Sequence, residues 1–268
     1  MIRDITIGQY YSVNSPIHKL DARIKILGTL LYIISLFTFQ KFAGYVAAIT
    51  FFLIMVGISR VPLKFIVRGL KPIFFMLIFT GFLNLFWTPG TELFKIGVLS
   101  ITIEGVQKMV FISLRLILLI LGSSLMTLTT TPNQLTDGLE KLLKPLNAIH
   151  VPVHELAMMM SIALRFIPIL VEETDKIMKA QMARGADFES GNIFQRVKSM
   201  VPILIPLFVS AIRRANDLAL AMDARCYNGG KNRTRMYPLR FQKRDAVAVL
   251  CLLLYLTALY FLIRISPY

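Results

Sequence analysis

Five stretches of this chain, 24–40, 42–58, 72–88, 109–128 and 246–263, run for 17 to 20 residues with almost no charge. A helix needs about 20 predominantly apolar residues to cross a bilayer, and within lipid only helices and closed barrels satisfy every backbone N–H and C=O. These runs constrain the chain more than any other feature and predict an all-α polytopic membrane protein. Composition agrees: 56% of the 268 residues are hydrophobic and mean hydropathy is +0.65, values of a membrane chain. The runs divide the sequence into a cytoplasmic N-terminal segment (1–23), four transmembrane helices (within 24–128), a long segment (129–245), and a last transmembrane helix with a short external tail (246–268). The first two runs meet around Lys41, which predicts a tight helical hairpin.

The first residues, "MIRDITIGQYYSVNSPIHKLDAR", show no basic stretch leading into an apolar core. No cleavable signal peptide is expected, and the first span acts as its own insertion signal. With the N-terminus inside, 24 lysines and arginines face the cytoplasm and four, Lys41, Lys95, Lys108 and Arg264, face outward. That is the asymmetry that orients membrane proteins. Lys25 and Arg115 fall within spans. The net charge of +15 sits mostly at membrane flanks, where it meets anionic headgroups. No basic stripe interleaved with aromatics points to nucleic acid, so the bilayer is the expected polyanionic partner.

The segment 129–245 contains "ELAMMMSIALRFIPIL" and "VPILIPLFVSAI", both apolar enough to suggest further spans. Arg165 and Pro168 interrupt the first, two prolines occupy the second, and five basic residues lie between them. The segment is therefore expected on the cytoplasmic side, as helices covered by protein or lying along the membrane face. Thr131 as N-cap with Pro132 at N1 opens a helix through about Leu143. A long helix, kinked at Pro168, is predicted from Val153 to Arg184, with Gly185 just past its end. A short helix near 192–200 and a last one from Ile203 to Arg225 complete the segment. Cys226 and Cys251 do not suit a disulfide. His150, His154 and Glu155 form a weak metal candidate, read as the loop at a helix start with Pro152 between the histidines, so no metal site is expected.

Two helix ends in this segment match. "QMARGADF" ends one helix on Ala183-Arg184-Gly185, and 41 residues later "MDARCYNGG" ends another on Ala224-Arg225-Cys226. Four residues before each arginine stands an alanine, Ala180 or Ala221, and seven before it a large aliphatic, Ile177 or Leu218. Positions i−4 and i−7 share the arginine's helix face. Each end thus presents an apolar shaft tipped by a charged fork. The helix dipole alone favours a cation in a last turn, which suffices for one tip. Two tips matched at three positions suggest docking, and arginine suits bidentate contact with carboxylates or carbonyls of a partner protein.

The sequence resembles the transmembrane T component of energy-coupling factor transporters, prokaryotic importers of vitamins and trace metal ions. "GQYYSVNSPIHKLDARIKIL" is similar to the family's N-terminal motif. "RFIPILVEETDKIMKAQMARGADF" and "VPILIPLFVSAIRRANDLALAMDARCYNGG" are similar to its two coupling motifs. Ala22 stands where the family motif commonly has proline, and Cys226 where the second tip has glycine or serine. The resemblance implies a non-catalytic scaffold in the cell membrane. Two ABC-type ATPases, which bind the ATP and Mg, would receive Arg184 and Arg225. A separate substrate-binding membrane subunit would dock on the same chain.

Other features agree with such a scaffold. "NGGKNRT" lacks the strand and spacing of a phosphate-binding loop, so a motor would have to be a separate protein. Eight of the 13 methionines fall in 129–245, including Met158, Met159 and Met160. Adaptable methionines suit a surface that accepts exchangeable partners, though they serve equally as filler. Two other function classes fit less well. A stand-alone secondary transporter would need broken helices around a midplane site, and a membrane-embedded lipid-modifying enzyme would need clustered carboxylates, histidines or a nucleophile.

Overall fold

The computed structural model describes residues 10–39, 41–96, 99–188, 192–229 and 240–265. The described residues hold nine α-helices: α1 (Ala22–Thr38), α2 (Phe42–Ser59), α3 (Leu63–Arg68), α4 (Phe74–Trp87), α5 (Ile103–Thr129), α6 (Pro132–Leu143), α7 (Val153–Ala183), α8 (Ile193–Ala224) and α9 (Lys243–Ile265). The all-α expectation holds, with one addition. Strands β1 (Glu92–Ile96) and β2 (Leu99–Thr102) pair antiparallel between α4 and α5. The described residues divide into two compact units, one within 10–138 and 240–265, the other within 139–229.

In the first unit α1 and α2 each pack on both α5 and α9, closing a four-helix ring. The expected tight α1–α2 hairpin is only a short connection: the two helices pack mainly on their shared neighbours, not on each other. The core of the ring is aromatic and aliphatic, with Tyr45, Leu36, Phe39 and Ile66 essentially inaccessible. Tyr45 stacks on Phe111, ring centroids 5.3 Å apart, and the Ser35 and Tyr255 hydroxyls meet at 2.8 Å. Large apolar side chains such as Phe75, at 80% exposure, and Trp87, at 81%, cover the outside. That is the surface of a bundle whose solvent is lipid.

Arg115 has an internal cause. Its Nη2 donates to the Phe39 carbonyl at 3.0 Å and its guanidinium lies 5.5 Å from the Phe37 ring. Phe39 caps the C-terminus of α1, so the cation meets the negative end of a helix dipole and a π face.

The N-terminal motif forms a buried polar knot that the sequence does not reveal residue by residue. His18 Nε2 donates to the Tyr11 carbonyl at 2.9 Å, which leaves Nδ1 of the neutral ring to accept the Ser15 hydroxyl at 2.7 Å. Lys25 Nζ donates to the carbonyls of His18, at 3.0 Å, and Thr129, at 2.8 Å. Asp21 caps α1 by accepting from Arg23 N–H, while its own N–H donates to the Asp245 carboxylate at 2.9 Å. Asp245 also takes the Gln242 N–H at 2.8 Å. The starts of α1 and α9 and the end of α5 are thereby tied together. Burial depresses the His18 pKa, with Lys25 adding to the effect. Burial pushes the Asp21 carboxyl up, but its bonds to Arg23 prevail and hold it below the usual range.

Helix α6 starts where its sequence predicts. Thr131 Oγ1 accepts from Gln134 N–H and Gln134 Oε1 from Thr131 N–H, both at 3.3 Å, a reciprocal cap. In the second unit α7 and α8 pack on each other. Helix α8 departs from expectation: 193–224 is one 32-residue helix that runs through Pro202 and Pro206. A proline four residues on cannot donate to the Pro202 carbonyl, and the Gln181 amide of α7 reaches that freed oxygen at 3.5 Å. A contact from the neighbouring helix offsets the break that local sequence predicts.

By length and composition the helices able to cross a membrane are α2, the stretch 63–87, α5, α7 and α9. Helix α1, with 17 residues, falls short of that set, and α7, which the sequence reading placed at the cytoplasmic side, falls within it.

Candidate partner-docking site

The two arginine tips share one backbone. At the end of α7, Arg184 N–H bonds to the Gln181 carbonyl at 3.0 Å, Gly185 N–H to Met182 at 2.9 Å and Ala186 N–H back to Gln181 at 3.0 Å. At the end of α8, Arg225 N–H bonds to Met222 at 3.1 Å, Cys226 N–H to Asp223 at 2.9 Å and Tyr227 N–H back to Met222 at 3.0 Å. A shift of 41 residues maps every donor and acceptor of one end onto the other. Both are helix endings in which a left-handed residue turns the chain and satisfies the last carbonyls. Gly185 supplies that residue at φ +87°, and Cys226 does the same at φ 55°. The departure at 226 therefore does not change the turn.

Ala183, Arg184 and Gly185 are exposed, as are Ala224, Arg225 and Cys226. Among the described residues neither guanidinium has a hydrogen bond or ion pair. On the shafts Ile177 and Leu218 are half-buried, while Ala180 and Ala221 are open. One face is thus smooth next to each charged tip.

The helices run antiparallel. Glu173 of α7 meets Arg214 of α8, Oε2 to Nη2 3.1 Å, and further along α7 Gln181 meets Pro202, earlier on α8. Arg184 lies eleven residues beyond Glu173, and Arg225 eleven beyond Arg214. At 1.5 Å per residue each tip stands about 17 Å past the crossing, on opposite sides. Sequence reasoning found both tips and missed the ion pair that braces them. The signal was present: Glu173 and Arg214 are themselves 41 residues apart.

Met159 and Met160 are exposed, at 56% and 45%, and Met158 is half-buried. The sequence did not single out Leu204, Ile205 and Phe208 of α8, which are 58%, 61% and 67% exposed. With Leu170 of α7 they line a shallow apolar cavity of about 480 Å³. The signal was the proline-punctuated run "VPILIPLFVSAI", whose apolar residues surround the whole helix. The metal candidate disperses into structural roles: His154 Nδ1 meets Glu140 at 3.2 Å, His150 closes a turn at φ 62°, and Glu155 is exposed. The Gly-Gly-Lys of "NGGKNRT" starts at Gly229, and the rest lies outside the described residues.

Fold and site together define an all-α, multi-pass membrane protein carrying two long helices with matched, exposed arginine turns. The CbiQ family, described as cobalt transport protein, matches residues 13–236. The chain is 57% identical over 255 residues to the energy-coupling factor transporter transmembrane protein EcfT of Clostridium kluyveri, covering 94% of each chain. With the protein of the same name from Bacillus subtilis it shares 46% identity over 263 residues, 98% of this chain and 99% of that one. The chain belongs to this family of transmembrane components of energy-coupling factor transporters.

Proposed function

We propose that this chain is the membrane scaffold of an ATP-driven importer of a vitamin or metal ion, and that it couples two ABC-type ATPases to a separate substrate-binding membrane subunit. One observation carries the reading. Two helix endings with the same hydrogen-bond pattern, each presenting an arginine that has no partner among the described residues, beyond an apolar shaft, stand on opposite sides of one braced crossing. Each tip enters a groove on one ATPase. The guanidinium forks onto carboxylates or carbonyls there, and Ala180 and Ala221 allow close approach of the shaft. The open apolar faces, including Met158, Met159 and Met160, receive the substrate-binding subunit. In this reading 129–245 lies at the cytoplasmic face, and ATP and Mg reside on the partners.

The test is charge reversal at the tips. Arg184→Glu or Arg225→Glu alone should abolish most uptake while leaving some ATPase attached, because one tip and both shafts remain. Losing a buried charge-assisted contact and adding repulsion costs roughly 2–5 kcal/mol. The double variant should release both ATPases with membrane levels unchanged. If the double variant still copurifies both ATPases and supports normal uptake, the arginines merely end helices and the reading fails.

A further inference from the structure

The first unit contains a second feature, unrelated to the arginine tips: a cavity of about 400 Å³ inside the four-helix ring. Its walls are the first three turns of α1 and α9 and the last two turns of α2 and α5. Wall segments of eight to ten residues give a depth of about 10–14 Å, close to the roughly 15 Å of hydrocarbon in one leaflet. The walls are aliphatic and aromatic, and Gly122 leaves room against them because a Cβ there would strike the Tyr32 ring at 2.7 Å. A largely apolar space of this volume is within the range of small-ligand pockets. The exposed Ile58, Val247 and Cys251 flank its opening, so it communicates with the outside of the bundle.

The polar groups gather at one end. Lys243 and Arg244, the first two residues of α9, are exposed and line the cavity. Among the described residues neither forms an ion pair, and Arg244 donates only to the neutral Gln242 amide. The nearby carboxylates are occupied: Asp21 holds Arg23, and Asp245 takes two backbone N–H groups. Lys25, the third cation in the wall, is spent on the carbonyls of His18 and Thr129. The mouth therefore carries two uncompensated positive charges above an apolar shaft.

We propose that this cavity holds one acyl chain of an anionic phospholipid, with its headgroup phosphate on Lys243 and Arg244. Basic residues at the end of an interhelical apolar slot are the recognition chemistry for an anionic headgroup on a hydrocarbon chain. The lipid fills the centre of the ring and ties α9 to α1 and α2.

The test uses the full chain in detergent, with dioleoylphosphatidylglycerol, dioleoylphosphatidylcholine and sodium oleate as probes and native mass spectrometry as readout. Wild type should retain one phosphatidylglycerol and no phosphatidylcholine. Retention should fall at least ten-fold in Ala248→Phe, which fills the cavity, and in Lys243→Gln/Arg244→Gln, which leaves the shaft intact. Cys251 lines the cavity, so in a Cys226→Gly background phosphatidylglycerol should slow its alkylation by N-ethylmaleimide at least five-fold. That readout needs no variant of the cavity itself. Equal retention of both phospholipids, undiminished retention by Ala248→Phe, displacement of phosphatidylglycerol by equimolar oleate, or unchanged alkylation would each overturn the proposal.

Discussion

At the scale of single residues, Cys226 takes over a position that its counterpart gives to glycine. A residue with a Cβ in the left-handed region carries a cost of about 1–2 kcal/mol, which glycine avoids. Cys226→Gly should therefore leave the second tip intact and stabilise the end of α8 by up to about 1 kcal/mol, part of the gain being lost to the freer unfolded chain. Gly185→Val should do the opposite at the first tip and cost at least that much. A Cβ at 185 would meet nothing within 4 Å, so the penalty there is conformational and not steric. Protease cleavage rates just beyond each helix, measured on the pure protein, separate the two. Faster cleavage in Cys226→Gly than in wild type would contradict the matched geometry. Arg115 makes a related point: a lone charge in an apolar run looks like a signal for a partner, yet here the Phe39 carbonyl of the same chain receives it.

At the scale of elements, what the sequence made legible was what local chemistry decides. The Thr131 cap of α6 and the endings of α7 and α8 follow from residues three or four apart. What stayed hidden depends on distant residues. Helix α8 continues through two prolines, and Gln181 of another helix meets the carbonyl that Pro206 leaves free, while the α1–α2 connection opens because both helices pack on α5 and α9. The paired strands β1 and β2 leave no mark on long apolar runs, to which two short strands contribute nothing. The N-terminal knot is hidden for the same reason of distance: Asp21 and Asp245 are 224 residues apart. That knot has a pH signature. The folded His18 pKa lies below its unfolded value of about 6.5, so its contribution is complete above that value and is lost as pH falls through the depressed folded pKa. The melting temperature in detergent should drop between pH 7.5 and 5.5, and the drop should shrink in His18→Gln, whose amide can keep both hydrogen bonds. An equal drop in both proteins would assign the effect to other groups.

At the scale of the whole molecule, the charge asymmetry predicts a sidedness that labelling can read. In a background without Cys226 and Cys251, Ala148→Cys should react with an impermeant maleimide only in inverted membranes, and Lys108→Cys only in intact cells. Ready labelling of position 148 from outside would reverse the topology and place both arginine tips on the wrong face. The crossing of α7 and α8 has one more consequence. Glu173 and Arg214 are equivalent positions in the 41-residue correspondence, and they touch. When equivalent positions of two antiparallel rods meet, an approximate local two-fold relates the backbone positions on either side of the contact. Arg184 and Arg225 are therefore mates under that axis, as are their turns and shafts. The two tips stand roughly 30 Å apart along the helices. The chain, although a single polypeptide with no identical halves, thus presents its two arginine turns as a pseudo-symmetric pair.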